Sequence, residues 1–409
     1  MRKFLILLAV LTTNSYLSAQ ETHFEVVSEE DSTYRHLHEN APHLENVADV
    51  PRFTLIGKDR RFYMGLGASI NATAGFDFGH PISDPNYFVT SRIPMTIAPG
   101  NGGQFKFSAQ QSRIYLNILA FPGNENQFGA YAAINFLGEN YAPKLHHAYL
   151  RYRGLTAGYT YTMFADVSCV PPTIDYEGPN GLPTIIHAMV SYEGKFGPKK
   201  EWGYGIALDN PEASYTDAAR TATVSQRVPD VPFYLQRSWA DGRGWLRASG
   251  IVRNILYRDL VSEKNVDRVG WGVKLSGKSP VYGPLSAYYM GLYGKGIASY
   301  IQDLNGAAMD LAPSRENPGR LEAVEAWSGM IGLQYQFSPK VFSTTTYSHV
   351  RAYGDTGVYR YAQYFVANIF YDINSVVQAG AEYLYGRRVA FDGAQAHDNR
   401  LQVMLKLSF

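Results

Sequence analysis

Two acids and five arginines carry the chemistry this sequence offers. Asp175 and Glu177 lie in a stretch rich in proline and glycine, Asp166-Val-Ser-Cys-Val-Pro-Pro-Thr-Ile-Asp175-Tyr-Glu177-Gly-Pro-Asn-Gly181. Arg113, Arg151, Arg153, Arg247 and Arg253 each alternate with apolar neighbours. Carboxylates facing guanidinium groups across a narrow aqueous gap set up a transverse field, which low-dielectric walls focus. Arginine adds a planar, permanently charged fork suited to carboxylate or phosphate. Clustered at one height, such arginines would favour small organic anions. Two plainer readings stand beside this one. The acids could belong to an ordinary surface loop, and the arginines could pair with acids of the same wall.

Other chemistries find less support. The sequence has no G-x-S-x-G elbow, H-E-x-x-H pair or Walker loop, and Gly65-Leu-Gly67 sits inside an amphipathic strand with no helix to open. His146, His147 and His349 are the histidines a rim hydrolase would need, but no nucleophile signature accompanies them, so no enzyme is expected. The single cysteine, Cys169, excludes an internal disulfide and a Cys-rich metal site. It reads as an incidental loop residue. His23, His36, His38 and His43 share an acidic tract and read as solvated rather than as metal ligands. No cofactor or metal is implied. A net charge of +1 gives no bulk attraction for nucleic acid.

The elements that must position these residues are strands. The C-terminus alternates strictly. Leu401, Val403, Leu405, Leu407 and Phe409 share one face; Arg400, Gln402, Met404, Lys406 and Ser408 share the other. Such a strand fits between lipid and water. Further upstream, Phe62, Met64, Leu66, Ala68 and Ile70 oppose Tyr63, Gly65, Gly67, Ser69 and Asn71. A second strand, 105–121, turns Ile114, Leu116 and Ile118 outward and Gln111, Arg113, Tyr115 and Asn117 inward. A twelfth turns Trp327, Ile331 and Leu333 outward, and a fifteenth turns Val377, Ala381 and Tyr383 outward against Gln378 and Glu382. Parity places Arg151 and Arg153 on the inner face of the fourth strand, and Arg247 and Arg253 on that of the ninth.

Strand centres fall near residues 68, 113, 132, 149, 159, 189, 206, 235, 250, 271, 289, 330, 346, 365, 380 and 403. This predicts an all-β transmembrane antiparallel barrel of about 16 strands, wide enough for an aqueous lumen. Connection lengths agree. Tight turns such as 122–126, 153–154 and 338–340 alternate with stretches at 77–103, 164–183, 210–230 and 299–320, as a barrel with short periplasmic turns requires. The third long loop, with Asp175 and Glu177, is expected to fold into the lumen and narrow it. Composition fits: 31 Tyr, 21 Phe and 5 Trp suit a membrane boundary, and mean hydropathy is only −0.22 because alternate residues face water.

Arg2, Lys3 and the apolar run 4–11 predict a signal peptide, 1–19, cleaved after Ala19. Residues 20–57 lack a sustained period and read as a flexible periplasmic arm. The barrel would occupy 58–409, in the outer membrane of a didermic bacterium.

With these residues in place, the chain resembles the DcaP-like porins. The resemblance is carried by Gln111-Ser-Arg113-Ile-Tyr-Leu-Asn117, His147-Ala-Tyr149-Leu-Arg151-Tyr, Gly158-Tyr-Thr-Tyr-Thr-Met-Phe164-Ala-Asp166 and Tyr176-Glu-Gly-Pro179. It implies a homotrimeric channel in outer-membrane lipid, with a basic constriction that admits dicarboxylates and similar small anions. It also gives Arg113 and Arg151 the constriction role. The arm here lacks the heptads of a coiled coil, unlike that of some members. From another class, a plugged barrel whose loops bind a surface partner also fits the sequence.

Overall fold

In the computed structural model, the residues described are 23–26, 32–41, 53–57, 59–215, 220–314, 316–317, 319–354 and 359–409. Sixteen strands form the wall: β1 (Phe62–Asp77), β2 (Gln104–Ser108 and Arg113–Ala120), β3 (Phe128–Asn135), β4 (Lys144–Tyr152), β5 (Leu155–Tyr161), β6 (Ile186–Phe196), β7 (Trp202–Asp209) and β8 (Val231–Trp239), followed by β9 (Gly244–Asp259), β10 (Lys264–Tyr282), β11 (Leu285–Lys295), β12 (Glu325–Ser338), β13 (Val341–Ala352), β14 (Tyr361–Asp372), β15 (Val377–Val389) and β16 (Gln395–Ser408). Each pairs antiparallel with the next, and β16 pairs with β1, from Arg400↔Asp77 to Ser408↔Ser69. The wall is therefore closed and leaves no sheet edge at that seam. Every predicted strand centre falls within one of these strands.

The faces follow the alternation. Leu66, Ile70, Leu401, Val403 and Leu405 are 51–59 % exposed, while Tyr63, Ser69, Asn71, Met404 and Gln402 between them are buried. A continuous apolar belt of this size is tolerable only against lipid. It also fixes the register. A one-residue slip would turn Arg113 and Arg400 outward, at about 2–4 kcal/mol each near the bilayer midplane.

Two irregularities depart from simple parity. Ser108 pairs with Thr73 and Arg113 with Ser69, so β2 advances five residues where β1 advances four. The extra residue lies at 109–112, and Phe105 and Phe107 point outward while Lys106 and Ser108 are buried. The uninterrupted second strand expected over 105–121 is thus two pieces of opposite parity. In β4 the register shifts between Ala133↔His147 and Ile134↔Leu145. His146 is the bulged residue, and both it and His147 are buried. A bulge re-aims a side chain in this way.

The arm also departs from expectation. Residues 32–40 form a helix, α1 (Ser32–Asn40), and Phe53–Ile56 pairs with β1 next to the chain end. Phe409 exchanges both backbone hydrogen bonds with Ala68, so these two segments share one edge of β1. His23–Val26 pairs with Phe53–Ile56. Leu37 and Ala41, four apart on one helix face, pack on inward-facing wall residues, which is why this part of the arm is folded rather than flexible. The predicted signal peptide, 1–19, lies outside the described residues.

Candidate functional site: a lumen aperture bounded by the third long loop

Residues 162–185 leave the wall between β5 and β6 and bond to inward-facing side chains of β12–β15, on the far side of the barrel. The amides of Ile174 and Asp175 donate to the two Glu382 carboxylate oxygens, both at 2.8 Å. The Pro172 carbonyl accepts from Thr344 Oγ1 and Asn368 Nδ2, again at 2.8 Å. Gly181 donates its amide to Ser348 Oγ and accepts from Ser328 Oγ. Ile174 packs on Phe342, Phe370 and Met404. Loop 296–324 backs this arrangement. Its Gln302 and Asp303 amides donate to the Leu182 and Asn180 carbonyls, and Tyr300, Ile301 and Leu304 pack with Phe164 and Leu182. The two loops fill the lumen beside β9–β14.

Between this filling and the opposite wall lies a cavity of about 560 Å³. Its polar lining includes Ser69 and Asn71 of β1, Gln111 just before the second piece of β2, Arg113 of β2, Asn135 of β3, and Lys144 and His146 of β4; Leu145 and Tyr161 also line it. Lys406, Arg92, Asp84, Asp175 and Glu177 also line it. Four cations thus face three acids. Register sets Arg113, Asn135 and Lys144 side by side on adjacent strands.

Each predicted site residue has a definite place. Arg113 is on the cavity wall, 5.9 Å over the Tyr115 ring. Asp175 is tied down: Oδ1 accepts from the Phe88 amide (2.9 Å) and Oδ2 from the Tyr364 hydroxyl (2.9 Å). Glu177 is half-buried at the cavity edge, and its carbonyl accepts from Gln302 Nε2. Arg151 lies elsewhere. It pairs in register with Gly129 and hence Leu119, six residues down β2 from Arg113, or roughly 20 Å nearer the periplasmic turns. There it donates to the Glu39 carbonyl (2.7 Å). Arg153 sits in the β4–β5 turn, bonded to the Glu125 carbonyl and Asn126 Oδ1. Arg247 reaches Gln236 Oε1 (2.8 Å) and the Ala165 carbonyl (3.2 Å), stacked 4.1 Å from the Tyr234 ring centre. Arg253 is buried between Asp230 (2.9 Å) and Asp310 (3.1 Å). These arginines do not share one height.

Sequence reasoning missed Lys144, Lys406 and Arg92, and it considered His146 only for hydrolysis. Lys406 could have been found, since the C-terminal alternation already turned it inward. Lys144 and His146 depend on the β4 bulge, and Arg92 on the course of loop 78–103. The histidines considered for a rim hydrolase do not converge. His147 faces inward and bonds Thr160 Oγ1 (3.1 Å), while His349 lies on the outer face, stacked between Trp327 and Tyr361.

The loop acids titrate unusually. Burial, then the negative charges of Asp175 and Asp303, push the Glu177 carboxyl up to about 8, against an opposing pull from Arg92. Burial and Glu382 push Asp175 up to about 7, against Arg400 and the hydrogen bonds from Phe88 and Tyr364. Both are mostly neutral at pH 6, which leaves the cations of the aperture dominant. Raising pH through 7 to 9 adds negative charge at both, so anion preference is expected to fall over that window and to fall less in Glu177→Gln, where only Asp175 remains to ionise. Reversal potentials at pH 6 and pH 9 check this; an anion preference that grows with pH contradicts it. The sign for stability is parallel. The folded protein holds protons the unfolded chain would release, so this contribution is complete below about pH 4 and is lost as pH rises toward 8.

A closed sixteen-strand wall, an apolar belt and a loop-lined lumen define a transmembrane β-barrel of the porin fold. Among solved structures, the chain is similar to the outer membrane channel DcaP of Acinetobacter baumannii, at TM-score 0.73 and 22% identity over 87% of this chain and 99% of that one. It is also similar to an anion-selective porin from Comamonas acidovorans (TM-score 0.54, 10% identity, 85% of this chain and 100% of that one). The third is the trimer form of OmpT, an outer membrane protein of Vibrio cholerae (TM-score 0.54, 10% identity, 85% and 99%). No family model matches the sequence, and no curated protein matches it.

Proposed function

We propose that this protein is an outer-membrane porin through which small hydrophilic solutes diffuse passively, with a preference for small organic anions such as dicarboxylates. The carrying observation is the aperture: Arg113, Lys144, Lys406 and Arg92 line one cavity with Asp84, Asp175 and Glu177, and the carboxyls of Asp175 and Glu177 are raised to about 7 and about 8. Uneven charge across a narrow, low-dielectric gap selects by sign and orients dipoles. The narrowing element is loop 162–185. The similarity to channels, one of them an anion-selective porin, supports this reading, and the trimer form of OmpT supports a homotrimer here.

The lumen filling by two loops also favours the second reading, a plugged barrel whose loops bind a surface partner. Swelling of liposomes loaded with the purified protein separates the two. A porin admits succinate faster than a neutral solute of equal size. A barrel that admits neither solute is the plugged one.

A further inference from the structure

Below the aperture, the lumen face of β2–β4 is occupied by the chain's own N-terminal segment. Leu37 is fully buried among Ile56, Tyr63 and Leu119, and Ala41 among Tyr115, Tyr131 and Tyr149. Asn40 supplies most of the polar contact. Its Nδ2 donates to Asn117 Oδ1 (2.6 Å) and to the carbonyls of Ile118 and Ala130 (3.2 Å each), and its carbonyl accepts from the Tyr149 hydroxyl (2.6 Å). Asn117 Nδ2 donates back to the Leu37 carbonyl (2.8 Å). Tyr115 and Asn117 follow Arg113 on the same inner face of β2, so the segment lies on the periplasmic side of the cavity, on the same strands.

We propose that residues 32–41 are a plug docked on the lumen face of β2–β4, which narrows the periplasmic half of the channel and leaves it to open. The proposal rests on the diffusion-channel reading. Two features suit the docking to release. A helix of nine residues is too short to persist alone, so it forms because the groove takes it and melts on release. The tether is long: Phe53–Ile56 is paired with β1, and residues 42–52 span up to about 40 Å when extended, more than the roughly 26 Å along β2 from Arg113 to the turn after Ala120. Tyrosines suit a groove that is alternately covered and wet, because each ring pairs an apolar body with a polar tip.

The test is a lock. A Cβ at Gly129 would lie 2.7 Å from Asn40 Cγ, within reach of the Cβ separation a disulfide needs. Gly129→Cys with Asn40→Cys, in a Cys169→Ala background, should conduct weakly when oxidised. Reduction with dithiothreitol should raise conductance about twofold, and deletion of residues 20–41 should do the same without reductant. Equal conductance in the oxidised, reduced and deleted channels would overturn the plug. A second readout does not depend on conduction: Leu37→Cys in the folded barrel should react with a maleimide-polyethylene glycol within hours. If no form conducts, the channel reading fails, and this labelling alone decides the plug: reaction sustains it, and complete protection overturns it.

Discussion

Arg253→Ala is expected to cost about 3–5 kcal/mol of stability, because it leaves two buried carboxylates without their cation. Arg253 is almost fully enclosed. Its Nε donates to Asp230, its Nη1 to Asp310 and the Gly296 carbonyl (2.6 Å), and its Nη2 to the Glu212 carbonyl, with the Tyr300 ring 4.8 Å away. One guanidinium thereby joins loop 210–230 to loop 296–324, and the second of these backs the aperture. Urea unfolding in detergent, followed by tryptophan fluorescence, should show the loss. Asp230→Asn with Asp310→Asn in the Arg253→Ala protein should recover much of it, since the uncompensated charge is then gone. A single variant as stable as the wild type would show that the triad contributes nothing.

The second large effect concerns selectivity. Arg113→Glu replaces a buried cation on the cavity wall by an anion, a change of two charges where the lining holds seven charged residues. Anion preference is expected to fall by about tenfold in permeability ratio, the size of a 1.4 kcal/mol change in relative barrier. Arg151→Glu and Arg153→Glu lie far from the cavity and should move selectivity little. An Arg151 effect as large as that of Arg113 would mean that the narrowest point sits at the periplasmic end.

How much of this could be read beforehand divides along a physical line. Strand number, strand order and the lipid face came through because side-chain direction in a strand has period two and lipid penalises any error. Leu401 to Phe409 already contain that information. What parity does not contain is height along the barrel axis, which depends on stagger between strands. Arg113 and Arg151 therefore read alike in sequence and lie six wall residues apart in register. Nor does parity show partners. Arg253 read as a lumen cation and is a buried tie between two loops. The bulge at His146 and the extra residue at 109–112 break the alternation without a Gly or Pro to mark them, and with them Lys144 was lost. The helix over residues 32–40 left little trace, because among its described side chains Leu37 is the one apolar residue buried against the wall, with Ala41 just beyond.

The most direct measurement is the reversal potential of the purified wild-type protein in a planar bilayer, under a KCl gradient at pH 6. The aperture predicts stable open steps with a reversal potential displaced toward that of chloride. A displacement toward potassium, or a bilayer that stays silent with correctly folded protein, would contradict the account.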